Sequence, residues 1–146
     1  MFFGDTVQDT RQLFFSSWHK FMHQQPLNAL EEELVAVIKM HPEYHAVLEK
    51  PELYQEHQYF PELGDVNPFL HMGLHLAIRE QIKTNRPAGI DKAYQALLVK
   101  LGDPMEVEHQ FMEQLAEFLW LAQKNQTMPD EQAYLQRLNQ LSGTSN

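Results

Sequence analysis

The stretch Asn67–Thr84, NPFLHMGLHLAIREQIKT, decides how the rest of the chain is read. Asn67-Pro68 is a strong helix start: asparagine caps the exposed amides, and proline fits the first turn because its missing N–H would have had no partner there. The apolar residues that follow carry a helix to about Thr84, ahead of Arg86-Pro87. Inside it, His71 and His75 lie four apart, so their side chains project from one face about a turn apart. Gly73 between them costs about 1 kcal/mol against alanine, which suits a close approach by another helix or by a bulky side chain such as Trp120.

Working outward toward the N-terminus, Leu13, Phe14, Trp18, Phe21 and Met22 recur mostly at three- and four-residue spacing, predicting an aromatic-faced helix from about Thr6 to His23. Asn28 and Glu31 form a capping-box pattern ahead of Leu30, Leu34, Val37, Ile38 and His41. Pro42 ends or kinks that helix at His41, and a short piece restarts over Glu43–Glu49. Lys50–Val66 carries Pro51, Pro61 and Gly64 and aromatics without a period. It reads as a long packed connection with room for one helical turn, its aromatics anchored over the bundle.

Toward the C-terminus, Ile90–Leu101 reads as a helix with Tyr94, Leu97, Leu98 and Leu101 inward and Gly102 as its stop. Asp103-Pro104 with Glu106 opens a long helix to about Lys124, and a last helix covers about Pro129–Leu141. No segment alternates with period two, and no glycine-centred hairpin signal occurs. The expectation is an all-α, irregular bundle of five to six helices without a sheet. It forms one domain over residues 1–141, with a frayed tail over 142–146.

Composition narrows the chemistry. The chain has 146 residues, no cysteine, eight histidines and a formal charge of -9. Thiolate zinc sites, thiol nucleophiles and thiolate-held clusters are excluded. No basic cluster is available to release counterions from a phosphate backbone, so nucleic acid is not an expected partner. No stretch approaches the roughly 20 apolar residues of a membrane helix. The N-terminus has neither the positive charge nor the apolar run of a signal peptide, and a cytoplasmic protein is expected.

The histidines are where chemistry has a footing. His71 and His75 share only spacing with a zinc-protease helix, because the glutamate of H-E-x-x-H is absent: Met72 follows the first histidine. His109 and Glu113 make a second i,i+4 pair, with Glu106 one turn earlier, and would converge with the first if their helices face each other. His41 or His45 completes the set, His45 being preferred. Glu106–His109 is the lone Glu-x-x-His, so one metal ion is expected rather than two. Imidazole and carboxylate ligands suit zinc, iron, nickel or manganese.

Two other readings compete with this one. The first is a metal-free interaction module with structural histidines, using the acidic surface and the Lys50–Val66 connection against a protein partner or a second copy. The second is a small anion or metabolite pocket built from Arg79, the histidines and Tyr44, with Glu80 as a further candidate around Arg79. Arg79 also has a plain structural option, an ion pair with Glu113 or Glu117. The P-loop and dinucleotide signatures are missing, Ser16-Ser17 lacks a nucleophile elbow, and Arg86–Gly89 suits a surface turn better than an anion site.

The segments PLNALEEELVAVIKMHPEYHAVLE, NPFLHMGLHLAIREQI…RPAGI and EHQFMEQLAEFLWLAQ closely resemble a family of short bacterial proteins known as domain of unknown function 1841. The likeness runs from the opening MFFG to about Leu141. It implies a bacterial, stand-alone domain without an assigned activity. It also implies that His41, His45, His71, His75, Arg79, Glu80, His109 and Glu113 fall on a shared pattern, which favours a common site and transfers no reaction.

Overall fold

In the computed structural model, residues 7–143 are described. The expected helix start at Thr6 and the last three residues of the expected tail lie outside them. Eight helices follow in order: α1 (Val7–Met22), α2 (Ala29–Lys39), α3 (His45–Leu48), α4 (Pro51–Tyr54), α5 (Pro68–Thr84), α6 (Ile90–Leu101), α7 (Pro104–Asn125) and α8 (Glu131–Leu141). No strand occurs among the described residues. The described residues are all-α, but with eight helices rather than five to six. The excess comes from α3 and α4, four residues each, in the proline-broken stretch where periodicity has too few turns to show itself.

The chain groups into two compact units, one up to Leu76 and one from Ala77 onward. In the first unit α1 packs on α2 and α3. Its core joins Phe14, Phe15 and Trp18 of α1 to Leu34, Val35, Val37 and Ile38 of α2, and to Leu48, Phe69, Met72 and Leu76. Phe69 receives both Phe14 and Phe15, with ring centroids at 6.0 and 5.3 Å.

The α2 start is the expected capping box. Asn28 Oδ1 accepts from Glu31 N at 2.8 Å, and Glu31 Oε1 accepts from Asn28 N at 2.9 Å. Glu31 Oε2 also accepts from Lys20 Nζ at 2.7 Å. One correction concerns the face of α2: Leu30 is exposed while Glu31 is buried, because the capping and Lys20 bonds hold the carboxylate inward.

These bonds have a pH consequence. The Lys20 hydrogen bond, then that from the Asn28 amide, hold the Glu31 carboxyl below the 4.5 of an unperturbed glutamate. A carboxyl depressed by folding contributes its full stabilisation above its unfolded value and loses it as pH falls through the folded one. The wild-type chain is therefore expected to lose stability more steeply than Glu31→Gln as pH falls below about 4.5. Urea titrations of both proteins at pH 3 to 6 check this, and parallel curves would refute it.

The Lys50–Val66 connection is held by a residue that sequence reasoning passed over. Arg11 Nη1 donates to the carbonyls of Tyr54, Gln55 and His57 at 3.1, 3.4 and 2.6 Å. Its guanidinium also lies over the Tyr59 and Phe69 rings, 5.3 and 5.0 Å from their centroids. A signal was present: Arg11 stands three, four and seven residues before Phe14, Phe15 and Trp18, on the apolar stripe itself. The connection's aromatics are only partly anchored, with Tyr54 and Tyr59 half-buried and Phe60 exposed.

In the second unit α6 packs with α7 and α8, and α7 with α8. Gly102 ends α6 at φ 76°, as its position after Leu101 implied. Asp103 and Asp130 cap α7 and α8, accepting from Met105 N and Ala133 N. Tyr134 is buried and donates to Gln81 Oε1 at 2.7 Å; burial pushes its phenol well above the ordinary range despite that bond. At the α6 start, Asn85 Oδ1 accepts from Gly89 N and Asp91 N, so these two amides are already used. That supports the surface-turn reading of Arg86–Gly89.

Candidate metal centre

Helix α5 begins as the sequence requires, with Asn67 Oδ1 accepting from Phe69 N at 3.0 Å and Leu70 N at 3.2 Å. From Met72 to Ile78 every residue is buried, which places His75 in the interior with no exposed surface at all. His71, one turn earlier, is half-buried. Gly73 is buried as well, but its suggested bulky neighbour is not: Trp120 is more than half exposed, with Lys124 Nζ 5.0 Å from its ring.

The third imidazole comes from the α2 end. Pro42 stops the helix, as expected, and starts a 3-10 turn over Pro42–Tyr44 that leaves His41 at the break. His41 is buried, and its Nδ1 lies 2.8 Å from the Val37 carbonyl oxygen. A carbonyl only accepts, so the ring proton is on Nδ1 and the Nε2 lone pair is free to bind a cation. A histidine held this way by a backbone carbonyl is the usual orientation of a metal ligand.

The three rings face one another. The His41 centroid is 5.0 Å from that of His71 and 4.9 Å from that of His75, and the last two are 4.8 Å apart. Each offers a ring nitrogen, and these nitrogens lie within 4.8 Å of one another. His71 Nε2 and His75 Nε2 are 3.2 Å apart. Two nitrogens bound to one tetrahedral ion at about 2.0 to 2.1 Å stand roughly 3.3 to 3.4 Å apart, so this pair already has the spacing of two ligands. Tyr44 completes the wall. Its ring is stacked on His41 at 5.4 Å and meets the edge of His71 at 6.3 Å. Burial, then the charge of Glu43, raises its phenol above the ordinary value.

Other sequence-predicted residues have different surroundings. His45, preferred over His41 from the sequence, is turned elsewhere: its Nε2–H donates to the Ile38 carbonyl at 2.9 Å and its ring packs on Trp18 at 4.6 Å. The break at Pro42 is the reason, since it removes the i,i+4 register that would have aligned the two. Arg79 pairs with neither Glu113 nor Glu117 among the ion pairs described. Its Nε donates to Glu108 Oε1 at 2.9 Å, while Glu117 faces Arg137 at 3.5 Å. Glu113 and Glu80 are exposed. Glu108 went unnoticed although it lies three, four and seven residues before Phe111, Met112 and Leu115, on the buried stripe of α7. The Arg79 charge is thus already matched by a carboxylate, which weakens the anion-pocket reading. His109, also on α7, belongs to the second unit. His19, His23 and His57 are exposed.

The family model described as Domain of unknown function (DUF1841) matches residues 6–140, nearly the whole chain. The chain belongs to this family. Comparison with curated proteins and with solved structures gives no match. Membership therefore brings no reaction with it, and the chemistry has to be argued from the cluster. Buried imidazoles with converging nitrogens can hold a metal ion. No helix among the described residues is long and apolar enough to cross a membrane.

Proposed function

We propose that this protein binds one transition metal ion through His41, His71 and His75, all within the first unit. The observation that carries the reading is the 3.2 Å separation of the His71 and His75 Nε2 atoms beside a His41 ring oriented through Nδ1. Glu113 and His45 are left out of the set, the first because it is exposed, the second because its Nε2 is bonded to a backbone carbonyl. Imidazole ligands suit zinc, iron and nickel, whereas manganese prefers oxygen, so manganese ranks last of the four. Neutral imidazoles leave the ion its full charge. A water in any remaining position would be acidified by it.

The test is metal analysis of protein made without a His-tag, stripped and reconstituted separately with zinc, iron(II), nickel or manganese. The exposed His19–His23 pair, with ring centroids at 4.1 Å, could capture an ion by itself, so the work is done in the His19→Ala/His23→Ala background. One retained equivalent that disappears in His71→Ala and His75→Ala supports the proposal. No retention, or retention indifferent to those changes, sinks it.

A further inference from the structure

The connection between α4 and α5 ends in a turn built to stay closed. Phe60 N donates to Asp65 Oδ2 at 3.0 Å, and the Phe60 carbonyl accepts from Leu63 N and Asp65 N at 2.9 and 3.2 Å. Gly64, at φ 89°, returns its N–H to the Pro61 carbonyl at 2.9 Å. Arg11 anchors the strand of chain leading into this turn through the three carbonyls already described. Apolar side chains nonetheless point away from the core here: Phe60, Leu63 and Val66 are 43%, 77% and 65% exposed. Ordering a loop around exposed apolar groups has no folding benefit in itself, whereas an already ordered loop lowers the entropy cost of binding. Large apolar residues grouped on a surface mark interaction sites.

The surrounding charge selects the partner. Residues 49–65 hold five acids (Glu49, Glu52, Glu56, Glu62 and Asp65) against a single Lys50, and all six are exposed. We infer that this loop docks a basic amphipathic protein segment: Phe60, Leu63 and Val66 meet its apolar face, and the acids meet its lysines or arginines. A second copy of this chain is disfavoured, because a self-complementary contact would set the same acids against each other on a chain of charge -9. An anionic bilayer is repelled for the same reason.

The probe is a synthetic amphipathic helix of leucine and lysine, with a leucine–glutamate peptide of matching pattern as control. Titration followed by amide chemical shifts is expected to show saturable binding of the basic peptide. The shifts should centre on residues 60–66, and the affinity should fall as salt rises. Leu63→Ser and Val66→Ser should each weaken it about tenfold while leaving the melting temperature unchanged, since both side chains are already in solvent. Equal binding of the acidic peptide, binding indifferent to these variants, or no binding would overturn the inference. So would a concentration-dependent dimer lost in Leu63→Ser, or binding to phosphatidylserine vesicles in place of the peptide. None of these readouts involves the histidine cluster.

Discussion

Zinc or nickel added to the stripped, untagged protein is expected to raise its melting temperature, and the rise is expected to vanish in His71→Ala and His75→Ala. An ion that binds the folded chain alone stabilises it by RT ln(1 + [L]/Kd), about 2.7 kcal/mol when free metal is a hundred times the dissociation constant. For a chain of this length that is on the order of 5–10 °C. His75 has no exposed surface, so removing its ring also leaves a void and lowers the metal-free melting point. The diagnostic quantity is therefore the metal-dependent increment and not the baseline. His71, half-buried, is the cleaner position, and His41→Gln gives a third reading that keeps a polar side chain near Val37. Raising pH from 5 to 7 should enlarge the increment, because protons compete with the ion for imidazole nitrogen. An unchanged increment in all three variants would place the ion elsewhere.

The largest purely structural loss is expected from Phe14→Ala, about 3–5 kcal/mol. Phe14 is fully buried, one of the aromatic residues of α1 that meet Phe69 at the start of α5. Truncation removes both its transfer free energy and its contacts, and the neighbouring rings are too rigid to collapse into the gap. Met22 on the same helix is 52% exposed and serves as the internal comparison. Met22→Ala is expected to change stability by less than about 0.5 kcal/mol. Denaturant titrations of both variants decide it, and similar losses at the two positions would mean that α1 presents a different face.

What could be read from the sequence follows from how local each signal is. Capping and helix-stop chemistry acts over three or four residues. The starts of α2, α5 and α7, the break at Pro42 and the stop at Gly102 were therefore legible from residue types alone. The short restart over Glu43–Glu49 and the one turn allowed within Lys50–Val66 became α3 and α4, whose bounds stayed open because one turn cannot display a 3.6-residue period. Arg11 and Glu108 stood on apolar stripes in plain view. A stripe says that a charge is buried without saying which group will meet it.

The candidate site divides along the same line. The His71–His75 pair depends on one helix, so its i,i+4 spacing was settled by sequence, and so was the absence of any thiolate ligand. Choosing between His41 and His45 depended on the direction the chain takes after Pro42, a matter of packing. The fold buried His41 beside the α5 pair, bonded its Nδ1 to Val37, and turned His45 toward Ile38 and Trp18. The partner of Arg79 was likewise a tertiary outcome, Glu108 in place of Glu113 or Glu117. Sequence alone determined the six longer helices, most of their ends and the kinds of ligand atom on hand. Only tertiary structure decided which imidazoles meet, because convergence of residues 30 positions apart is set by how side chains fill a core and not by any spacing along the chain.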